Sequence, residues 1–298
     1  MPSPTDFNLS PYYDDFTESK KFHRVLFRPG FAVQARELTQ AQSILQNQME
    51  RSGDHFFKKG AMVIPGEIAF DVNYYAVKLS SIESGVSLSS FNGITLTGGT
   101  SGVQARVVNV VATDGTDPDT LYVKYIDSGT SKTATAFSDG ETLSGTATLS
   151  GVDTTITCVV DTTATGSAAS IVAGVYYING FYVSVDDQTI ILDKYTNTPS
   201  YRVGVTITES FVTPNDDASL NDNAAGSSNL NAPGAHRFKI NLTLTKKTLT
   251  TTEDNNFIEL LRLENGFRQN QVRNTEYAIL EDNLARRTFD ESGDYTVR

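Results

Sequence analysis

The sequence predicts a mainly β fold with a few α-helices: β-sandwich or small-barrel domains, one amphipathic N-terminal helix and a C-terminal helical pair. Three observations lead there. Leu38, Ala41, Ile44, Leu45 and Met49 recur at helical spacing and share one arc of a wheel drawn at about 100° per residue. From Ile68 to Thr245, short runs of β-branched and aromatic residues alternate with polar ones between Gly, Pro, Asn and Asp turn signals. Beyond Thr250 the helical period returns, first in Phe257, Ile258, Leu260, Leu261 and Leu263, then in Tyr277, Leu280 and Leu284.

Residues 1–80 read as a unit for attachment and oligomerisation. Pro2, Pro4 and Pro11 stand among Phe7, Tyr12, Tyr13 and Phe16, which resists regular structure and offers packing anchors. That segment is an extended arm, lying on a neighbour or on its own body. Residues 25–27 read as a short strand before the Pro29-Gly30 turn. The helix that follows is expected to run for about four to five turns and to stop at Ser52-Gly53, with the glycine in a left-handed C-terminal conformation. Gln48 falls inside the apolar arc, with Gln34, Gln40, Gln42 and Gln46 near by. A glutamine there is satisfied by backbone, or by its own copies around a symmetry axis as a layer that sets register. Strands are expected over 61–64 and 68–79, split by Pro65-Gly66.

Residues 81–170 shift to Ser, Thr and Gly and read as an inserted β-domain. Val103, Ala105 and Val107 alternate with polar neighbours, as do Leu121, Val123 and Tyr125, and Ile156, Cys158 and Val160. Gly93-Ile94-Thr95-Leu96-Thr97-Gly98 is echoed by Gly140-Glu141-Thr142-Leu143-Ser144-Gly145, so two similar halves are expected to close a small barrel or sandwich.

Residues 171–249 continue the first β-domain. Asn179-Gly180, between two aromatic runs, is a strong hairpin signal because both residues tolerate positive φ. Strands follow at 189–192, 202–211 and 237–245, with a polar contact or disordered loop over 213–236. Residues 250–298 read as a helical segment leading to a further C-terminal part. Thr250 and Glu253 have capping-box spacing for a helix ended by Asn265-Gly266, and a second helix is expected over 275–288, with Glu276 and Arg286-Arg287 matching its dipole. Tyr295-Thr296-Val297 looks like a strand cut at its start, so the chain is expected to be the N-terminal part of a longer polypeptide.

Composition narrows the function. The chain has 298 residues, with 24 Lys and Arg against 35 Asp and Glu, a net charge of −11. No basic tail or stripe is present, which argues against nucleic acid and anionic membranes as partners. No run of about 18 apolar residues and no basic leader occurs, so neither membrane insertion nor secretion is expected. Cys158, the single cysteine, alternates with apolar residues as a small buried hydrophobe. His23, His55 and His236 lack partners at metal-ligand spacing. The run from Gly98 to Gly102 superficially resembles a phosphate cradle but lacks a lysine and a following helix, and so reads as a hairpin turn. Asp114, Asp117 and Asp119, and Asp216, Asp217 and Asp222, do not fit a calcium loop and read as solvated turns. No catalytic, cofactor-binding or metal residue is identified, and no enzyme activity is expected.

FNLSPYYDDF, FHRVLFRPGFAVQARELTQAQ and QNQMERSGDHFFKKGAMVIPG, with GVYYINGFYVSVDDQTIILDKY and LNDNAAGSSNLNAPGAHRFKINL, resemble the N-terminal region of large virion structural proteins of contractile-tailed phages, the cyanophage type above all. The resemblance covers 7–80 and 171–298. It implies a baseplate or tail-fibre component made in the host cytoplasm, a homotrimer attached to other tail proteins through its N-terminal region. Tyr12, Tyr13, Phe16, Phe31 and the helix face are the expected contacts. The alternative is a carbohydrate-binding or carbohydrate-cleaving host-recognition module, with Tyr74, Tyr75, Tyr176, Tyr177 and Tyr182 as candidate platforms for a host glycan.

Overall fold

The computed structural model describes residues 5–129, 132–250 and 254–293. The fold is mainly β, with three sheets and two α-helices. Helix α1 (Ala35–Phe56) leads into β1 (Met62–Ile64) and the long β2 (Ile68–Ile82). Then come β3 (Thr95–Gly98), β4 (Gln104–Val111), β5 (Thr120–Asp127), β6 (Thr142–Leu149) and the longest strand, β7 (Val152–Ile171). Short strands β8 (Gly174–Ile178), β9 (Phe181–Val185) and β10 (Gln188–Asp193) precede β11 (Tyr201–Val212) and β12 (Arg237–Thr248). The described chain ends with β13 (Phe257–Glu264), β14 (Phe267–Gln271) and α2 (Ile279–Ser292).

Strands β7, β2, β5, β4, β3 and β6 pair antiparallel in that order, and β6 pairs back onto β7, closing a barrel. The alternation read in the sequence explains the closure. Val103, Ala105, Val107, Leu121, Leu143 and Ile156 point inward and are fully buried, while their polar neighbours face out. Closure also removes the open edges that Thr-rich strands would otherwise expose. The two echoed segments lie side by side, Thr97 opposite Ser144 and Gly98 opposite Leu143, each entered through a positive-φ glycine, Gly93 or Gly140. Cys158 faces the barrel interior, and burial pushes its thiol up to about 12. Iodoacetamide at pH 8 is therefore expected to leave the native protein unlabelled and to label it fully in denaturant. Rapid labelling of the native chain would show that the barrel opens.

The second core lies between β1-β8-β9, the sheet β12-β11-β13-β14 and the near ends of β2, β7 and β10. Strands β2 and β7 run unbroken from one core to the other. Ile68 and Ile171 pair in this second core, whereas Val77, Leu79 and Val160 line the barrel. Asn179 and Gly180 turn β8 into β9, both with positive φ, as their sequence predicts.

Several local expectations change. Residues 257–263 form strand β13, so the helical pair becomes a hairpin and one helix. An apolar run of this length suits a buried helix or a strand covered on both sides. Pairing with β11 and β14 decides for the strand, and Asn265-Gly266 is the turn of that hairpin, again with both φ positive. Helix α2 starts later than the 275–288 expectation, because residues 276–278 bond to the end of α1. Helix α1 runs past Gly53 to Phe56 without a left-handed glycine. Residues 25–27 form no strand with any of the described residues. The capping pair falls partly on Glu253, and the terminal strand on 295–297; both lie outside the described residues.

Candidate assembly surface

Helix α1 docks with its polar side. Tyr177, buried in β8, brings its hydroxyl within 2.9 Å of the Glu50 carbonyl and 2.8 Å of Asp54 Oδ1, and the Gln46 amide donates to the Gly180 carbonyl at 2.6 Å. Gly53 sits flat against the Tyr177 ring, where a Cβ would come within 2.4 Å of a ring carbon. Close approach, not a cap, is what requires glycine there. On the flank, Ser43 donates to Asp14 and Gln40 to Asp15, tying down the N-terminal arm. Gln40 and Gln46 are thus satisfied within the chain.

Next to the docked side, α1 carries an apolar line that faces out. Leu38 is 54% exposed, Leu45 66% and Met49 51%, and Phe56 continues the line; of the predicted arc only Ile44 is buried. At about 100° per residue, Leu38, Leu45, Met49 and Phe56 fall within roughly 40° of one another. Their spacings of seven, four and seven residues are those of a heptad seam, with Gln42 in a seam position and Gln48, also exposed, at its margin. Thr39, Ala41, Gln46 and Gln48 flank the seam without charge. Arg36, Glu37, Glu50, Arg51 and Asp54 lie elsewhere on the helix.

The predicted contact residues divide. Tyr12 packs against Phe211, with ring centroids 5.1 Å apart, and its hydroxyl meets His236 Nδ1 at 2.8 Å; Phe7 abuts Phe211 and Phe238 edge-on. The arm therefore lies on its own body. Phe16 is half-buried beside α1, whereas Tyr13 and Phe31 are exposed, along with Phe22, Leu26 and Phe27. Helix α2 carries exposed apolar residues of its own. It joins the end of α1 through the Phe57–Tyr277 bridge, and Ile279, Leu284 and Phe289 stay exposed. Its contribution was not read from the sequence, although Tyr277, Leu280 and Leu284 signalled an apolar face.

The candidates for other chemistry resolve into structural roles. Tyr176 and Tyr177 are fully buried, and Tyr74 stacks on Tyr122 at 5.0 Å, which leaves Tyr75 and Tyr182 partly open. Asp114 and Asp117 clasp Lys194, and the Asp117 amide with the Lys194 ammonium holds the Asp114 carboxyl well below the usual carboxylate range. Asp216, Asp217 and Asp222 bond amides of their own turns. The Gly98 to Gly102 turn does hold an anion, but its own: buried Glu141 accepts from the amides of Thr100 at 3.2 Å and Ser101 at 2.9 Å. Among the described residues no three His, Cys, Asp or Glu side chains gather as a metal cluster, and no helix is long and apolar enough to cross a membrane.

Neither the curated proteins nor the solved structures give a match to the chain. The sequence model of one family, described as Domain of unknown function (DUF4815), matches residues 10–130 and 126–298, which together leave out only the first nine residues, and the chain belongs to that family.

Proposed function

We propose that this protein is a structural component of a contractile phage tail, a baseplate or fibre-attachment protein of the virion that works through interfaces and carries out no catalysis. It assembles as a homotrimer and docks on other tail proteins. The observation that carries this reading is the outward apolar seam of α1. A helix that docks by its polar side and leaves Leu38, Leu45, Met49 and Phe56 in water is built for a second contact. Copies of this chain fit it best. A net charge of −11 opposes self-association overall, and the helix positions that form and flank the seam, Thr39, Ala41, Gln46 and Gln48 among them, add no charge of their own to a contact between copies. Gln42 from each copy would then form the polar layer that sets register. The resemblance to tail proteins supplies the setting.

Light scattering after size exclusion is expected to give the mass of a trimer for the wild type and of a folded monomer for Leu38→Asp/Leu45→Asp, with an unchanged far-ultraviolet spectrum. A wild-type monomer at every concentration, or a variant that keeps its mass, rejects the seam. Peptide mass spectrometry of purified particles tests the location; absence of the chain from tails rejects a virion role.

A further inference from the structure

We propose that the outer wall of the barrel carries a binding groove for a saccharide bearing carboxylate or sulfate groups, read by Arg106 and Lys124. These two residues stand directly opposite each other on β4 and β5, so both side chains leave the same face a few ångströms apart. Both are exposed, and neither forms an ion pair among the described residues. Like charges directly opposite destabilise an antiparallel pair. In a chain with 35 acidic residues, a carboxylate on β3 opposite Arg106 would have offset this repulsion. Instead β3 places Thr95, a neutral hydroxyl, beside Arg106.

The surroundings are shaped as well as charged. Two β-bulges bracket the pair. Ile126 is the extra residue of β5 between the Gln104–Asp127 and Ala105–Tyr125 pairs, and Val108 is the extra residue of β4 between the Val107–Val123 and Asn109–Tyr122 pairs. A bulge re-aims its side chain, and here both aliphatic residues reach the surface, Ile126 at 60% and Val108 at 42% exposure. Together with Asn92 and Gly93 they rim a shallow groove of about 540 Å³. Guanidinium and ammonium groups in the middle fit an anionic group, the guanidinium in bidentate fashion. Aliphatic side chains at both ends fit the C–H faces of sugar rings, and Asn92 and Thr95 offer hydrogen bonds to hydroxyls.

Two other ligand classes fit less well. A peptide would need a free strand edge, and β4 and β5 are each paired on both sides. A nucleic acid would need stacking rings and many cations, and the groove has no ring and two cations.

The test is calorimetric titration of the full chain with a hyaluronan tetrasaccharide and a chondroitin sulfate tetrasaccharide, with maltotetraose as the neutral control and tetraglutamate as the anion without sugar. Binding of at least one acidic tetrasaccharide is expected, about tenfold weaker in Arg106→Ala and in Lys124→Ala and lost in the double variant. The melting midpoint of the double variant should stay equal or rise, because the like-charge opposition is gone. No binding by either acidic sugar, equal binding by tetraglutamate, or binding that survives both substitutions overturns the proposal.

Discussion

Gly53→Ala is expected to cost about 2–3 kcal/mol, mostly by prising α1 away from β8. Adding one methyl group to a full interior typically costs about 1–3 kcal/mol, and here its neighbour cannot swing away. The Tyr177 ring is buried and flanked by Phe57 and Tyr182, with centroids 5.9 Å and 5.4 Å away. Moving it also breaks the hydroxyl's contacts with Glu50 and Asp54, worth about 1 kcal/mol net. Hydrogen exchange locates the damage: amides of α1 should lose protection while those of β4 to β6 keep theirs. Tyr177→Phe alone should cost about 1 kcal/mol, and less than that once Gly53 is alanine, because the bond it removes is already broken. Equal loss of protection in α1 and the barrel would mean that the two units unfold together, and that α1 is no separable module.

The same helix marks the limit of what the sequence can reveal. Its period is plain, because Leu38, Ala41, Ile44, Leu45 and Met49 recur on one side whatever they touch. Which side docks is not plain. The partners of the polar side, Tyr177 and Gly180, are more than a hundred residues away and become visible only once β8 and β9 are in place. Apolar arcs usually face the core, so the outward seam needed the structure. Barrel strands were legible because one inward side and one outward side give strict alternation, as in Val103, Ala105 and Val107. The strand β13 was not, because Phe257 to Leu263 has apolar residues on consecutive positions. Even so, a decisive signal stood beside it: Asn265-Gly266 between Leu263 and Phe267 has the chemistry that marks the β8–β9 turn at Asn179-Gly180. The Arg106–Lys124 pair was hidden for a third reason. Each is an ordinary outward charge on its own strand, and only the bulged register sets them opposite each other.

Glu141→Ala is expected to be among the most damaging substitutions in the barrel, costing about 3–5 kcal/mol by urea unfolding. Its carboxylate accepts from the amides of Ser138 at 2.6 Å, Ser101 at 2.9 Å and Thr100 at 3.2 Å, and from the Ser101 hydroxyl at 3.0 Å. With Glu141 only 4% exposed, water reaches those donors poorly, and alanine would leave them stranded. Glu141→Gln should fall between the two, since one amide oxygen still accepts while the amide nitrogen faces donors. The donors remain aimed at an anion-sized vacancy in Glu141→Ala, so formate should raise its melting midpoint more than chloride at equal ionic strength, and should leave the wild type unmoved. A loss below about 1 kcal/mol, or no difference between formate and chloride, would mean that the turn holds its shape unaided. The glycines of this turn then have a physical reason. A Cβ at Gly98 would stand 2.6 Å from Glu141 Oε2, so the bare backbone is needed for the chain's own carboxylate to enter, and a run that superficially resembles a phosphate cradle is one whose anion is already covalently supplied.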